Sequence, residues 1–242
     1  MREIFGIPIE GIGMAEAVER IDASTKPLWF VTANPEILLE SHRDNAYANV
    51  LREADLRLVD GFGLWLATFC QTKRVTGVEF AERLIQHAHD MNWRVGLFGG
   101  ENGAAEEAIV DIRRAYPKLD IRAEQGGRVS STGEEDDATE EARGRMMLFS
   151  PQVLLAAMGH PRQEAWIAQH RKDFPELRVV VGVGGTFDFW SGRTKRAPHI
   201  FRSFGFEWLW RLVLEPYRWK RIVNAVVVFP ILLIVDKIRK LG

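Results

Sequence analysis

Asp60 ends a four-residue alternating run, Leu56–Val59, and is followed at once by Gly61-Phe62-Gly63 and an apolar helical stretch, Leu64–Phe69. Strand, acid, glycine turn and helix in that order put a carboxylate at the carboxyl end of a strand, the edge where open α/β sheets bind ligands. The plainer reading is a turn aspartate that caps the next helix. Other polar or glycine clusters follow apolar runs in the same way. They are Thr32 with Asn34, Gly99 with Gly100, Gly159–Glu164, and Gly184-Gly185 through Asp188. If their strands run parallel, all five clusters gather on one edge. Backbone N–H groups of Gly99–Gly103 and of Gly184–Asp188 would then suit a phosphate at a helix start, and Asp188 could accept from a ribose or a base. For both loops a tight strand-to-helix turn is the alternative. Asn34-Pro35 likewise makes a good helix start for local reasons alone.

The elements that must hold these residues are legible. Short apolar runs at Pro27–Val31, Leu56–Val59, Trp93–Phe98, Leu119–Ala123, Gln152–Met158 and Arg178–Val183 read as strands. Between them lie helical patterns, such as Val78–Met91 with Phe80, Leu84, Ile85 and Ala88 on one side. Ile4–Ile9 reads as a strand or edge hairpin, and Gln125–Asp137 as an exposed loop. Alternating strands and helices imply right-handed crossovers and a Rossmann-like α/β fold, a mostly parallel sheet covered on both faces.

Several chemistries find no support in the residues. There is no G-x-G-x-x-G dinucleotide fingerprint, no G-x-S-x-G elbow and no spaced D-x-D pair. His87 and His89 sit two apart on one helix and cannot face a common ion, so no metal site is expected. Cys70, the one cysteine in 242 residues, rules out an internal disulfide and reads as core in an apolar helix. No signal peptide is expected at the start. The formal charge of −1 conceals asymmetry: from Gly192 onward eleven Lys/Arg face three Asp/Glu, and the preceding residues carry twenty-one against thirty. Three of the eight tryptophans lie in that basic tail, beside the apolar run Ile222–Val235. Fourteen residues are too few to span a bilayer, where about 20 are needed. Basic flanks, aromatics and an apolar run describe a segment lying in a membrane interface; a core helix or dimer contact is the alternative. The chain therefore divides into a catalytic body, 1–195, and an appendage, 196–242.

The motifs T-A-N-P-E (Thr32–Glu36), A-D-L-R-L-V-D-G-F-G (Ala54–Gly63), R-V-T-G (Arg74–Gly77) and L-F-G-G (Leu97–Gly100) come in sequence order. G-H-P-R-Q-E-A-W-I (Gly159–Ile167), G-V-G-G-T-F-D-F (Gly182–Phe189), K-R-A-P (Lys195–Pro198) and Phe206–Arg221 complete the series. Together they resemble the TagA/WecG/GumM-type family of bacterial glycosyltransferases over roughly residues 1–221. The resemblance implies an inverting transfer of a hexose-type sugar (N-acetylmannosamine, its uronic acid or glucose) from a UDP-sugar to an undecaprenyl-diphosphate-linked sugar. It implies a peripheral enzyme on the cytoplasmic face of the inner membrane, needing neither cofactor nor metal and binding no nucleic acid. Asp60 carries over as the general base, with Thr32, Asn34, Arg74 and Gln163 beside it. Arg211, Arg218 and Arg221 carry over as tail arginines that reach the UDP diphosphate when the tail docks. His160 and Arg162 stand where the family more often has a small residue and a lysine. A nucleotide-cofactor oxidoreductase and a non-catalytic membrane adaptor are the competing readings.

Overall fold

Five of the chain's strands are buried at every residue, as a sheet covered on both faces requires. The computed structural model describes residues 2–198, 201 and 207–239. Its main sheet contains β3 (Leu28–Ala33), β4 (Leu56–Val59), β5 (Val95–Gly99), β6 (Ile121–Glu124), β7 (Val153–Ala157) and β8 (Val179–Gly182). The order is β4-β3-β8-β7-β5-β6, and each neighbouring pair is parallel. A separate hairpin, β1 (Arg2–Ile4) with β2 (Ile7–Ile9), lies beside β4, where Glu10 and Arg57 form a buried ion pair at 2.6 Å.

Two apolar layers cover the sheet. One holds α1 (Met14–Ala23), α5 (Gly77–Met91), α6 (Ala104–Ala115) and α9 (Thr186–Trp190). The other holds α2 (Pro35–Arg43), α3 (Asn45–Arg52), α7 (Asp137–Phe149) and α8 (Arg162–His170), with Leu64 of the short α4 (Phe62–Ala67). The adjacent strands β3 and β8 therefore send their following helices, α2 and α9, to opposite faces. Helices that leave to opposite faces in this way leave the carboxyl ends of the strands between them open, the edge where such sheets bind ligands.

The tail is helical in three pieces, Glu207–Leu214, Trp219–Val223 and Phe229–Arg239, the last two joined by a π-helical turn, Asn224–Val228. Phe229 and Leu233 are buried in the α2/α3 layer, and the Phe229 ring meets Phe5 edge-on at 5.8 Å. Val226, Val227, Ile231, Ile234 and Ile238 remain exposed. Among the described residues no helix is long and apolar enough to cross a membrane.

Some local expectations change. β3 continues to Ala33, so Thr32 is a strand residue and not part of a loop. Asp188 belongs to the helical turn α9, where a free glycine loop was expected. Cys70 is exposed in the turn after α4, since the helix stops at Ala67 and both Phe69 and Cys70 take positive φ. The segment 125–137 is not wholly exposed, because Glu135 turns inward to Arg143 (3.0 Å) and Trp166.

Candidate active site

Gly182, the last residue of β8, is where the site converges. Parallel register sets Val31 opposite Gly182, so the next residue, Thr32, reaches it with its hydroxyl, which donates to the Gly182 carbonyl at 3.3 Å. On the other side lies Gln163, from the first turn of α8. A Cβ on Gly182 would sit 2.5 Å from Gln163 Nε2, so only glycine lets this side chain cross the strand end. Gln163 Oε1 then accepts from Gly184 N–H at 3.1 Å, which ties α8 to the loop after β8.

Asp60 joins through β4. Its amide donates to the Ala33 carbonyl at 2.8 Å, extending the β3–β4 ladder by one residue. Its Oδ2 accepts from Gly77 N–H at 3.2 Å, while the cap position of α4 falls on Gly61, which has no side-chain cap. A Cβ on Gly77 would lie 3.1 Å from Thr32 Oγ1 and 3.4 Å from Asp60 Oδ2. The hydroxyl and the carboxylate thus face one spot at the start of α5. Arg74 is held nearby: it bridges to Val59 in parallel, and Val75 N–H donates to the Val59 carbonyl at 2.9 Å.

Asn34 has a structural task. Its Oδ1 accepts from Glu36 and Ile37 N–H at 3.0 Å each, a side-chain cap on α2, with Pro35 in the first turn. Gly99 and Gly100 lie elsewhere on the edge. β5 is four strands from β4, roughly 19 Å at about 4.8 Å per strand. Both glycines have φ of +86°, and Gly100 packs so closely on Phe187 that a Cβ would approach it to 3.1 Å. Loop amides there are already used, Gly100 N–H by the Ala157 carbonyl (2.8 Å) and Gly103 N–H by Gln125 (3.1 Å). That is the behaviour of a tight turn. Gly185 opens α9, and Gly184 at φ +52° is the residue Gln163 grips.

A groove of about 360 Å³ lies between α2, the β7–α8 loop and the tail, lined by Glu36, Glu40, Arg43, His160, Arg162 and Arg221 among others. Arg221 Nε donates to Glu36 Oε2 at 2.8 Å, and His160 Nε2 stands 3.8 Å from the same oxygen. Burial lowers the His160 pKa, partly opposed by Glu36. Arg221 is therefore drawn to the α2 side of the edge. The side chains of Arg211 and Arg218 lie outside the described residues. Among the described residues no three His, Cys, Asp or Glu side chains cluster as a metal would need.

Glu164, Tyr47, Gly77 and Gly182 were not singled out from the sequence. Glu164 Oε1 accepts from Gln163 Nε2 at 2.7 Å and its Oε2 from the Tyr47 hydroxyl at 3.1 Å. Burial pushes its carboxyl up to about 7 and the Tyr47 phenol well above its ordinary range. A signal was present: Glu164 begins the otherwise apolar run E-A-W-I, where a charge calls for a buried partner.

Comparison with known proteins gives the family. A family model described as "Glycosyl transferase WecG/TagA/CpsF family" matches residues 2–241. The chain is 32% identical over 229 residues to N-acetylglucosaminyldiphosphoundecaprenol N-acetyl-beta-D-mannosaminyltransferases of Staphylococcus aureus strains MRSA252 and NCTC 8325 / PS 47. Each match covers 91% of this chain and 86% of the relative.

Proposed function

Since the chain belongs to the WecG/TagA/CpsF glycosyltransferase family, we propose that it moves a hexose-type sugar from a UDP-sugar to an undecaprenyl-diphosphate-linked sugar with inversion at the anomeric carbon. The observation that carries this reading is the facing of Asp60 and Thr32 across Gly77 at the carboxyl edge of the sheet. In the reaction, the acceptor hydroxyl attacks the anomeric carbon, the bond from that carbon to the diphosphate oxygen breaks, and its electrons leave with UDP. Asp60 takes the acceptor proton. Thr32 and Gln163 position the sugar and the Gly182–Gly184 turn, and Asn34 supports them by capping α2. Arg74 supplies a forked cation for the diphosphate, joined by Arg211, Arg218 and Arg221 when the tail turns inward. Arg221 would have to exchange Glu36 for that phosphate. Gly99 and Gly100 serve an extended ligand only at its far end, since β5 is distant from β4, while Gly185 and Asp188 follow β8 and serve it beside the Gly182–Gly184 turn.

The relatives' names make N-acetylmannosamine the first donor sugar to try and an N-acetylglucosaminyl diphospholipid the first acceptor. A β-linked mannosaminyl product suits inversion of an α-linked nucleotide sugar. The tail, 196–242, is the segment read as holding the enzyme on the cytoplasmic face of the inner membrane, its exposed Ile231, Ile234 and Ile238 toward lipid and its lysines toward anionic headgroups. A glycosyltransferase family leaves no role for the oxidoreductase reading.

The deciding test is Asp60→Asn, assayed by UDP release from UDP-N-acetylmannosamine with a polyprenyl-diphosphate N-acetylglucosamine acceptor. Loss of a general base lowers turnover by about 10²–10⁴-fold with the fold intact. A variant as fast as the parent removes Asp60 from the base role.

A further inference from the structure

Among the described residues, Glu164 is a fully buried acid near the site with no opposite charge beside it. Its two side-chain partners are neutral: the Gln163 carboxamide on its own helix and the Tyr47 phenol on α3. The strands beneath α8, β7 and β8, contribute only apolar side chains. From α2, Glu40 is felt by Tyr47 and has the same sign. Among the described residues no lysine or arginine neutralises Glu164. A buried carboxylate in such a place costs stability. It is tolerable as a device that fixes an active-site amide.

We propose that Glu164, braced by Tyr47, is a positioning residue: its carboxylate orients the Gln163 carboxamide, and through it the Gly182–Gly184 turn that receives Thr32. The chain of contacts is continuous. Tyr47 hydroxyl meets Glu164 Oε2 at 3.1 Å, Glu164 Oε1 meets Gln163 Nε2 at 2.7 Å, and Gln163 Oε1 meets Gly184 N–H at 3.1 Å. Because Gly184 N–H needs the amide oxygen, the amide nitrogen must point at Glu164. Only one of the two amide orientations satisfies both ends. An ionised Glu164, which accepts at both oxygens, enforces it with a charge-assisted bond; a protonated one grips less tightly and can itself donate to a flipped amide. The burial that lifts this carboxyl to about 7 places the exchange near neutrality. The inference rests on the transferase reading above, in which Gln163 belongs to the site.

The test is the pH dependence of kcat/KM for the full chain, with Asp60→Asn run alongside. The parent should lose activity as pH falls through about 7. Glu164→Gln keeps the shape and can still accept from Gln163, so it should fold and lose that acid limb. Tyr47→Phe removes a bond that lowers the Glu164 pKa, so the limb should move to higher pH. Gln163→Ala should lose the limb as well, and adding Glu164→Gln to it should cost nothing further. A merely structural Glu164 would change the height of the profile and leave its midpoint in place. A limb unmoved in Glu164→Gln, or losses that multiply in the double variant, overturns the proposal. If transfer is too slow to follow, UDP affinity by calorimetry over the same pH range reads the same turn, with the same expected pattern. An active Asp60→Asn sinks the transferase mechanism; an inactive one with an unmoved limb sinks only the positioning role.

Discussion

Phe229→Ala should release the tail without unfolding the sheet. Phe229 is 1% exposed and Leu233 8%, and they are the buried side chains of the described tail helices from 207 onward. Burying each contributes about 1.5–3 kcal/mol, with smaller additions from the half-buried Val228 and Leu232. The Arg221–Glu36 pair is about half exposed on the arginine side and adds at most about 1 kcal/mol. Replacing a buried phenylalanine by alanine costs about 3–5 kcal/mol, which consumes most of that attachment. At about 1.4 kcal/mol per decade, tail opening becomes at least a hundredfold more frequent. Hydrogen exchange read by mass spectrometry checks it. Peptides covering 219–239 should exchange about two decades faster, while those from β3 and β8 keep their protection, because the sheet's own layers do not depend on Phe229. Equal protection of the tail in parent and variant would refute the attachment by Phe229. Loss of β3 and β8 protection together with the tail would show that tail and sheet open as one unit.

Two further outcomes follow from the site. In urea titrations, Glu164→Gln should gain on the parent as pH rises. A raised acid carries no penalty below about 4.5, where folded and unfolded chains both hold the proton, and the penalty is complete only above about 7, approaching roughly 3 kcal/mol. The variant should therefore match or trail the parent near pH 4.5 and lead it at pH 8; a difference independent of pH contradicts the buried, uncompensated carboxyl. Gly182→Ala puts a methyl 2.5 Å from Gln163 Nε2 and must displace that side chain from Gly184 and Glu164. A loss of about 1–3 kcal/mol and of transfer activity is expected, measured by thermal unfolding and UDP release; an unperturbed variant would mean that Gln163 does not lie across the strand end.

Much of this protein was written locally. Leu56–Val59 is short and alternating, Asp60-Gly61 must turn, and Gly77–Met91 is amphipathic, so strand, turn and helix follow from neighbours in the chain. Their alternation dictates a parallel sheet, and a parallel sheet puts Thr32, Asp60, Gly99, Gln163 and Gly184 on one edge. The sequence could not rank those clusters along the edge, because strand order is a matter of contacts between distant segments. The structure puts Gly99 and Gly100 four strands away from Asp60 and sets Thr32 against Gly182, 150 positions later. Burial decided the rest. Beside the apolar A-W-I the sequence hints that Glu164 is buried, but it became a raised acid only when α3 and two apolar strands closed over it. In the tail the apolar run was plain to read, but only packing against the α2/α3 layer, with Phe229 on Phe5, selected Phe229 and Leu233 for the core and left Ile231, Ile234 and Ile238 outside. Local pattern determines which elements form and which of their ends are polar; the meeting of distant groups, and the loss of water around them, exists only in the folded chain.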